Sequence, residues 1–423
     1  MGRLYLLALL ALAACSRQAE RGPFVLRIAV VGPLTGVSPR VPESSAAFAT
    51  DLAFQALLYP DRNGAPRSLL LRTFKRLGPT RYRIAIDPVV RFSDASPVTF
   101  DDVVRAVAYW DIRATRDGDE ILLESPTGAL EAKLYYSAIY RDAGGEVFGT
   151  GPFRVAEQSP WRVVLERVRP APGRIDRVEL VAFPSSRDML SRTLRGETNG
   201  VALLSERQAE FLEGVPSLKV VHSPSPHARA VVFNEKRVPG AEWQALRSAL
   251  PFGRIAPFAC GANVLAESPL ARVGGEVPPG RPLAISNMTF DTVTPFVGLA
   301  LRRALGARGG PLSRPDPGSL SAAGMLADFD LTVRNALVWP PVVLALSWGT
   351  GSPFNASGYS NPAVDEAFAR GDAEAAAAEI RRTAPFVVLC RGERIAAFDA
   401  RIRNPTLGWW GVLDTLPDWE VEP

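Results

Sequence analysis

Strand-like runs alternate with helical runs from residue 25 to residue 369, and this alternation most restricts the chain: it argues for an α/β fold built of layered lobes. Val25-Leu26-Arg27-Ile28-Ala29-Val30-Val31 reads as a buried strand ended by Gly32-Pro33. Over 44–58, Ala47, Phe48, Leu52, Phe54, Ala56 and Leu58 give a helical pattern that Pro60 and Asn63-Gly64 stop. Residues 68–74, 81–86, 153–156, 161–167 and 177–182 have strand composition, and 186–195 reads as a helix closed by Gly196. Short strands are expected at 220–221 and 230–233. The alternation then repeats as helix 241–250, strand 283–286, helix 294–305, strand 330–333 and helix 362–369. Pro- and Gly-rich stretches at 268–282 and 306–318 read as surface connections. Thr99 stands three residues before Asp102, a capping-box spacing, and Val103, Val104, Val107 and Ala108 follow at helical intervals.

A chain of 423 residues is too long for one core and should divide into two or three lobes. Its net charge of +4 is small for that length and no dense Lys/Arg run occurs, which argues against a nucleic-acid partner and a basic membrane patch. Only two histidines are present, His222 and His227, in a Pro/Ser-rich stretch read as a solvated loop, so a His-rich metal site is ruled out. Neither a cofactor motif nor a reactive constellation is found: Gly349-Thr350-Gly351-Ser352 lacks the serine-elbow spacing, and there is no phosphate-cradling Walker loop. Asp101-Asp102 fall in a helix's first turn, where they complement the helix dipole. The chain is therefore not expected to be an enzyme.

At the N-terminus, Arg3 precedes an uncharged apolar run over 4–14. A bilayer span needs about 20 residues, so the run has the length of a signal-peptide core instead. Leu12-Ala13-Ala14-Cys15 resembles the lipobox of bacterial lipoproteins. That resemblance implies a signal peptide over 1–14, cleavage before Cys15, diacylation of its sulfur, and a lipidated tether over 15–23. Each buried methylene of such an anchor contributes about 0.8 kcal/mol, so two or three acyl chains hold a soluble domain on a membrane surface. The bland alternative is a plain secretory signal or a buried helix. Ser16 follows the cysteine, where an aspartate is associated with inner-membrane retention. Cys260 and Cys390 are the remaining cysteines and are candidates for a disulfide in an oxidising envelope.

Several segments, in order, resemble the family 5 extracellular solute-binding proteins, the oligopeptide- and dipeptide-type binding components of ABC importers. They are Val90-Arg91-Phe92-Ser93-Asp94-Ala95-Ser96-Pro97-Val98-Thr99-Phe100-Asp101-Asp102-Val103-Val104, then Gly149-Thr150-Gly151-Pro152-Phe153, then Val231-Val232-Phe233-Asn234 with the helix after it, and finally Gly358-Tyr359-Ser360-Asn361-Pro362-Ala363-Val364-Asp365. The glycines of the second phrase are expected to supply positive φ. Asn361 reads as an N-cap with Pro362 in the first helical turn. Ala95 stands where the family has glycine, so an altered turn is expected there.

The resemblance implies a bilobed periplasmic-binding-protein fold of the type II flytrap kind with a small extra domain. Lobe I would comprise 24–52, 149–240 and 392–423, the extra domain 53–148, and lobe II 241–391. It implies a monomer that holds a peptide or other small-molecule solute between the lobes and delivers it to permease and ATPase subunits, tethered to the cell envelope at a periplasmic or outer surface. The alternative is a sensory or scaffolding lipoprotein that keeps the fold without transport. Leu34, Thr35, Asn234, Trp339, Trp348, Tyr359 and Trp409 are the candidate ligand-binding residues. Peptide-binding relatives carry an acidic, aromatic stretch before the Gly-Tyr-Ser-Asn-Pro phrase, whereas Val338-Trp339-Pro340-Pro341-Val342-Val343-Leu344-Ala345-Leu346-Ser347-Trp348 holds no carboxylate. A desolvated amine needs a charged or well-bonded partner, so this run points to a cleft for a neutral or apolar solute, with a buried strand and turn as the bland alternative.

Overall fold

The computed structural model describes residues 24–34, 36–39, 46–260, 275–287, 294–313, 328–352, 354–355 and 357–422. The expected signal peptide, Cys15, the tether and Thr35 lie outside the described residues.

The chain opens with β1 (Val25–Val31) and α1 (Ala47–Ala53). The helix is shorter than the apolar pattern over 44–58 suggests, because Phe54 turns extended and Ala56 bridges to Ala138. A small domain follows: β2 (Leu71–Gly78), β3 (Arg81–Ile86), α2 (Phe100–Ala108), β4 (Arg113–Asp117), β5 (Glu120–Glu124) and α3 (Leu130–Leu134). Its four strands form an antiparallel sheet in the order β2-β3-β5-β4. The α2 cap is the expected box: Thr99 caps the N3 amide while the Asp102 carboxylate accepts from the Thr99 amide at 2.8 Å. The turn before it keeps the left-handed conformation although glycine is missing, with Ala95 at φ 68°. Asp94 holds that turn by accepting from the Ser96 amide and hydroxyl.

The chain returns through Gly149-Thr150-Gly151. These glycines do not take the positive φ expected of them; they are needed for space, since a Cβ on Gly149 or Gly151 would run into the carbonyls of Ala53 and Leu52. Lobe I is then completed by β6 (Phe153–Ser159), β7 (Arg162–Arg167), β8 (Arg177–Phe183), α4 (Ser186–Leu194), β9 (Gly200–Val201), α5 (Glu206–Glu213) and the 16-residue β10 (Leu218–Phe233). Lobe II follows as α6 (Gly240–Ala249), α7 (Phe252–Cys260), β11 (Leu283–Asn287), α8 (Thr294–Leu305), β12 (Gly309–Ser313), β13 (Leu331–Leu337), α9 (Leu344–Trp348), α10 (Pro362–Arg370) and α11 (Ala373–Thr383). Asn361 caps α10 by accepting from the Ala363 amide at 3.0 Å. Finally β14 (Phe386–Asp399) leads the chain back to lobe I.

Ten strands share one sheet in the order β6-β7-β8-β1-β9-β14-β10-β13-β11-β12. Two long antiparallel strands, β10 and β14, carry it from one lobe to the other. Residues 218–224 of β10 pair with 393–399 of β14; residues 228–232 pair with 386–391. Register breaks between Pro224 and Ala228, where Pro224 and Pro226 have no amide to donate to the ladder. Lobe I is packed around Leu26, Ile28, Leu180, Phe398 and Trp419, and the outer side of lobe II around Phe233, Trp243, Ile285 and Leu301. A third core is continuous from Tyr82, Val103 and Tyr135 of the small domain to Val232, Trp348, Phe368 and Phe386 of lobe II, so the small domain is seated on the inner side of that lobe. On the outer side, Cys260 and Cys390 are disulfide-bonded with Cα atoms 6.0 Å apart.

Candidate functional site

Arg394 of β14 stands at the start of the apolar stretch Ile395-Ala396-Ala397-Phe398, just after Glu393, and it is buried. Its guanidinium donates to three consecutive carbonyls, those of Gly408 at 2.7 Å, Trp409 at 2.8 Å and Trp410 at 2.7 Å. Burial pushes its pKa below the ordinary arginine value, and the charges of Asp51 and Asp414 oppose that. The turn it tethers closes over two carboxylates. A Cβ on Gly408 would land on Asp414 Oδ1, and one on Gly411 would lie 2.8 Å from Asp51 Oδ2.

Asp51, on α1, is pushed up to about 7, first by burial and next by the charge of Asp414, with Arg394 pulling the other way. Asp414 is pushed up to about 6 by burial, against the Gly411 amide it accepts from at 3.1 Å and the charge of Arg394. Yet both side chains remain reachable by water. Both carboxylates therefore stand at an exposed surface that the 408–411 turn crowds from one side.

Aromatic side chains from three parts of the fold meet between the lobes. Tyr136 and Tyr135, from the end of α3, approach Trp410 of the C-terminal segment at 5.7 Å and 5.5 Å between ring centroids. Phe354 of lobe II lies 5.6 Å from Tyr136 and 5.4 Å from Trp110, which follows α2. All four contacts are edge-on, the arrangement the aromatic quadrupole favours.

The lobe II wall is built on β13, where strand alternation puts Thr332, Arg334 and Ala336 on one face. Arg334 lines a small pocket of about 10 Å³ with Val232, Ala336, Ser347, Trp348 and Phe354, room for about one water. Among the described residues its guanidinium makes no hydrogen bond or ion pair. Between the two arginines lies His227, whose pKa falls to about 3 through burial and then the charges of Arg394 and Arg334. His227 is thus a neutral ring in β10 and not the solvated loop residue expected from its neighbours. His222 does sit at the surface, 3.4 Å from Glu393. Among the described residues no group of three or more His, Cys, Asp or Glu is placed to hold a metal ion.

The residues singled out in the sequence are dispersed around this centre. Leu34 is packed in the lobe I core. Asn234 is buried and bound locally, donating to the Phe329 carbonyl at 3.0 Å and accepting from the Lys236 amide at 3.1 Å. Tyr359 is buried, its hydroxyl 2.5 Å from Thr383 Oγ1. Trp348 stacks on Phe386 at 4.7 Å and reaches the edge of the Arg334 cavity. Trp339 lines a different hollow, of about 250 Å³, between the small domain and lobe II with Asn63, Tyr82, Glu131 and Phe368. Trp409 is part of the tethered turn, and its buried indole Nε1 has no hydrogen-bond partner among the described residues. The run 338–348 starts just beyond β13 and forms a short loop, a 3-10 turn at Pro341–Val343 and α9, where the bland reading expected a strand and turn. Asp51, Trp110, Tyr136, Arg334, Phe354, Arg394 and Asp414 were not picked out. The available signal was Arg334, the single charge in Leu331–Leu337; Arg394 shares its strand with Arg391, Glu393 and Asp399 and does not stand out.

Two lobes sharing a sheet through crossing strands, with a lined cleft between them, define the bilobed periplasmic-binding-protein fold. No family model matches the sequence, and no curated protein matches it. Among solved structures, the periplasmic binding protein AgaA from A. tumefaciens R10, in complex with agropinic acid, superposes with a TM-score of 0.78 at 15% identity over 95% of this chain and 99% of that one. DppA from Helicobacter pylori, an ABC transporter-associated periplasmic binding protein in complex with the peptide STSA, gives 0.78 at 14% identity over 95% and 98%. NikA from Staphylococcus aureus, in complex with Ni(L-His)2, gives 0.75 at 13% identity over 94% and 100%.

Proposed function

We propose that this chain is the extracytoplasmic solute-binding component of an ABC importer. The observation that carries the reading is a water-accessible cleft at which lobe I, lobe II and the small domain all present side chains, in a fold superposable over nearly its full length on solute-binding proteins. Binding in such a cleft needs no bond-making group. A solute that touches both lobes favours the closed arrangement by its greater affinity for it, and a permease reads that closure. The β10–β14 crossing, with its register break at 224–228, is where the chain absorbs the motion. In this reading the protein is a monomer, Cys15 carries the lipid anchor at the envelope surface, and permease and ATPase subunits are its partners.

A thermal-shift screen of the exported chain against peptides, amino acids, sugars, metal chelates and apolar metabolites tests this. A ligand at 100 times its dissociation constant adds about 2.7 kcal/mol of stability, a shift of several degrees. Silence across every class would end the binding reading. Binding without capture of a permease from native membranes would instead favour the sensory or scaffolding alternative.

A further inference from the structure

The hollow that Trp339 lines lies apart from the cleft between lobes I and II, and its walls point to a ligand of their own. Tyr82 of β3 and Glu131 of α3 come from the small domain; Trp339, in the loop after β13, and Phe368 of α10 come from lobe II. They enclose about 250 Å³. The two walls abut at Gly64, where a Cβ would lie 2.9 Å from Pro340 Cβ and 3.5 Å from Trp339 Cζ2, so a larger residue would push them apart.

Glu131 supplies the charge. Its two carboxylate oxygens accept from the Tyr82 hydroxyl at 2.6 Å and the Tyr135 hydroxyl at 2.5 Å. Burial, and then the charge of Glu131, push both phenols above the usual tyrosine range, so each keeps its proton and donates. These partners are neutral, and among the described residues no ion pair reaches Glu131. A carboxylate has about four acceptor sites, so two remain for a donor in the hollow. Arg76 also borders the space, but it is exposed and lies against the C-terminal end of α10, where a Cβ on Gly371 would come 2.6 Å from its Nη2 and where a cation complements the helix dipole. Glu374, in the first turn of α11, adds an exposed carboxylate to the rim.

An anion here would meet Glu131 and Glu374 together. A neutral guest would displace water from Glu131 and return no counter-charge. A metal ion needs more oxygen ligands than these two, and among the described residues no group of three or more His, Cys, Asp or Glu is placed to hold one. An ammonium with N–H donors makes charge-assisted hydrogen bonds to Glu131, and an apolar or planar body beside it packs on the aromatic walls.

We propose that this hollow is an accessory site for a small organic amine: the ammonium sits on Glu131 beside Tyr82, the apolar body lies against Trp339 and Phe368, and the occupant clamps the small domain to lobe II. The proposal goes beyond the importer reading and does not rest on it, since no cleft residue is required to touch the amine.

Calorimetric titration of the full exported chain tests this with 2-phenylethylamine, its neutral counterpart 2-phenylethanol and the anionic 3-phenylpropanoate. The amine should bind saturably, the alcohol at least tenfold more weakly, and the acid not at all. Glu131→Gln should weaken the amine at least tenfold and bring it level with the alcohol, and Trp339→Leu should weaken both. Ala373→Phe plugs the hollow from the partly exposed start of α11, so it should abolish amine binding and keeps the test open where either other variant fails to fold. Equal affinity for amine and alcohol would overturn the proposal, as would a preference for neutral sugars or no saturable amine binding up to about 10 mM. Amine binding unchanged in all three variants would place the amine elsewhere, in the cleft, and overturn it too.

Discussion

Ala95 and Asp51 show at the scale of one residue how function-like strain and charge are placed. Ala95 holds φ 68°, a conformation glycine adopts without steric cost and an L-residue with a Cβ does not. Ala95→Gly should therefore stabilise the protein by about 1 kcal/mol, less the entropy glycine adds to the unfolded chain, readable as a small rise in Tm. No change would mean that the Asp94 turn has already absorbed the strain. Asp51 carries a pH dependence with a definite sign. Its carboxyl ionises near 3.8 when unfolded and near 7 when folded, so between those values the native state holds a proton the unfolded state has lost. Stability from this group is thus greatest below pH 4 and falls as pH rises to 7. Asp51→Asn removes the titration, so its Tm advantage over the parent should grow from pH 4 to pH 8. A difference that does not vary with pH would show Asp51 to be solvated like any surface aspartate.

Elements in this chain are held by local signals and locked by distant ones. The Thr99–Asp102 and Asn361–Ala363 caps act within three residues, which is why α2 and α10 begin where the sequence says. The glycines at 149 and 151 follow a different logic, because what they avoid is the backbone of α1, a hundred residues earlier in the chain. The disulfide joins α7 to β14 across 130 residues. Closing so long a loop restricts the unfolded chain, so Cys260→Ser with Cys390→Ser should cost about 2–4 kcal/mol by denaturant melts. The same loss is expected on reduction of the parent, and a variant as stable as the parent would show the bridge to be dispensable.

For the whole molecule the consequence is motion. A solute that touches both lobes draws lobe I toward lobe II, so the radius of gyration in solution scattering should fall on binding and recover after dialysis. A ligand that binds with no change in scattering would mean that the lobes are already closed without it, and that recognition by a permease depends on something other than closure. How the small domain is seated matters too. Its core runs without a break into that of lobe II, and its Tyr135 and Tyr136 reach Trp410 of lobe I, so it forms part of the cleft wall.

The α/β class, most helix positions, both helix caps and the flytrap arrangement were legible in the sequence, because each is written in local spacing or in an ordered series of short phrases. The cleft was not. Asp51, Arg334, Arg394 and Asp414 come from a helix, two strands and a terminal turn, and each looks in isolation like an ordinary solvated charge. Alternation within a strand gives two faces but does not say which one borders a cavity; Asn234 satisfies a loop, Trp339 lines another hollow and Tyr359 fills a core. By itself the sequence determined which segments take helix or strand and, at α2 and α10, where the helix begins, since those preferences act over a few residues. Only the tertiary structure decided which charges are brought together, because electrostatic coupling arises from packing between segments that the chain separates by hundreds of residues.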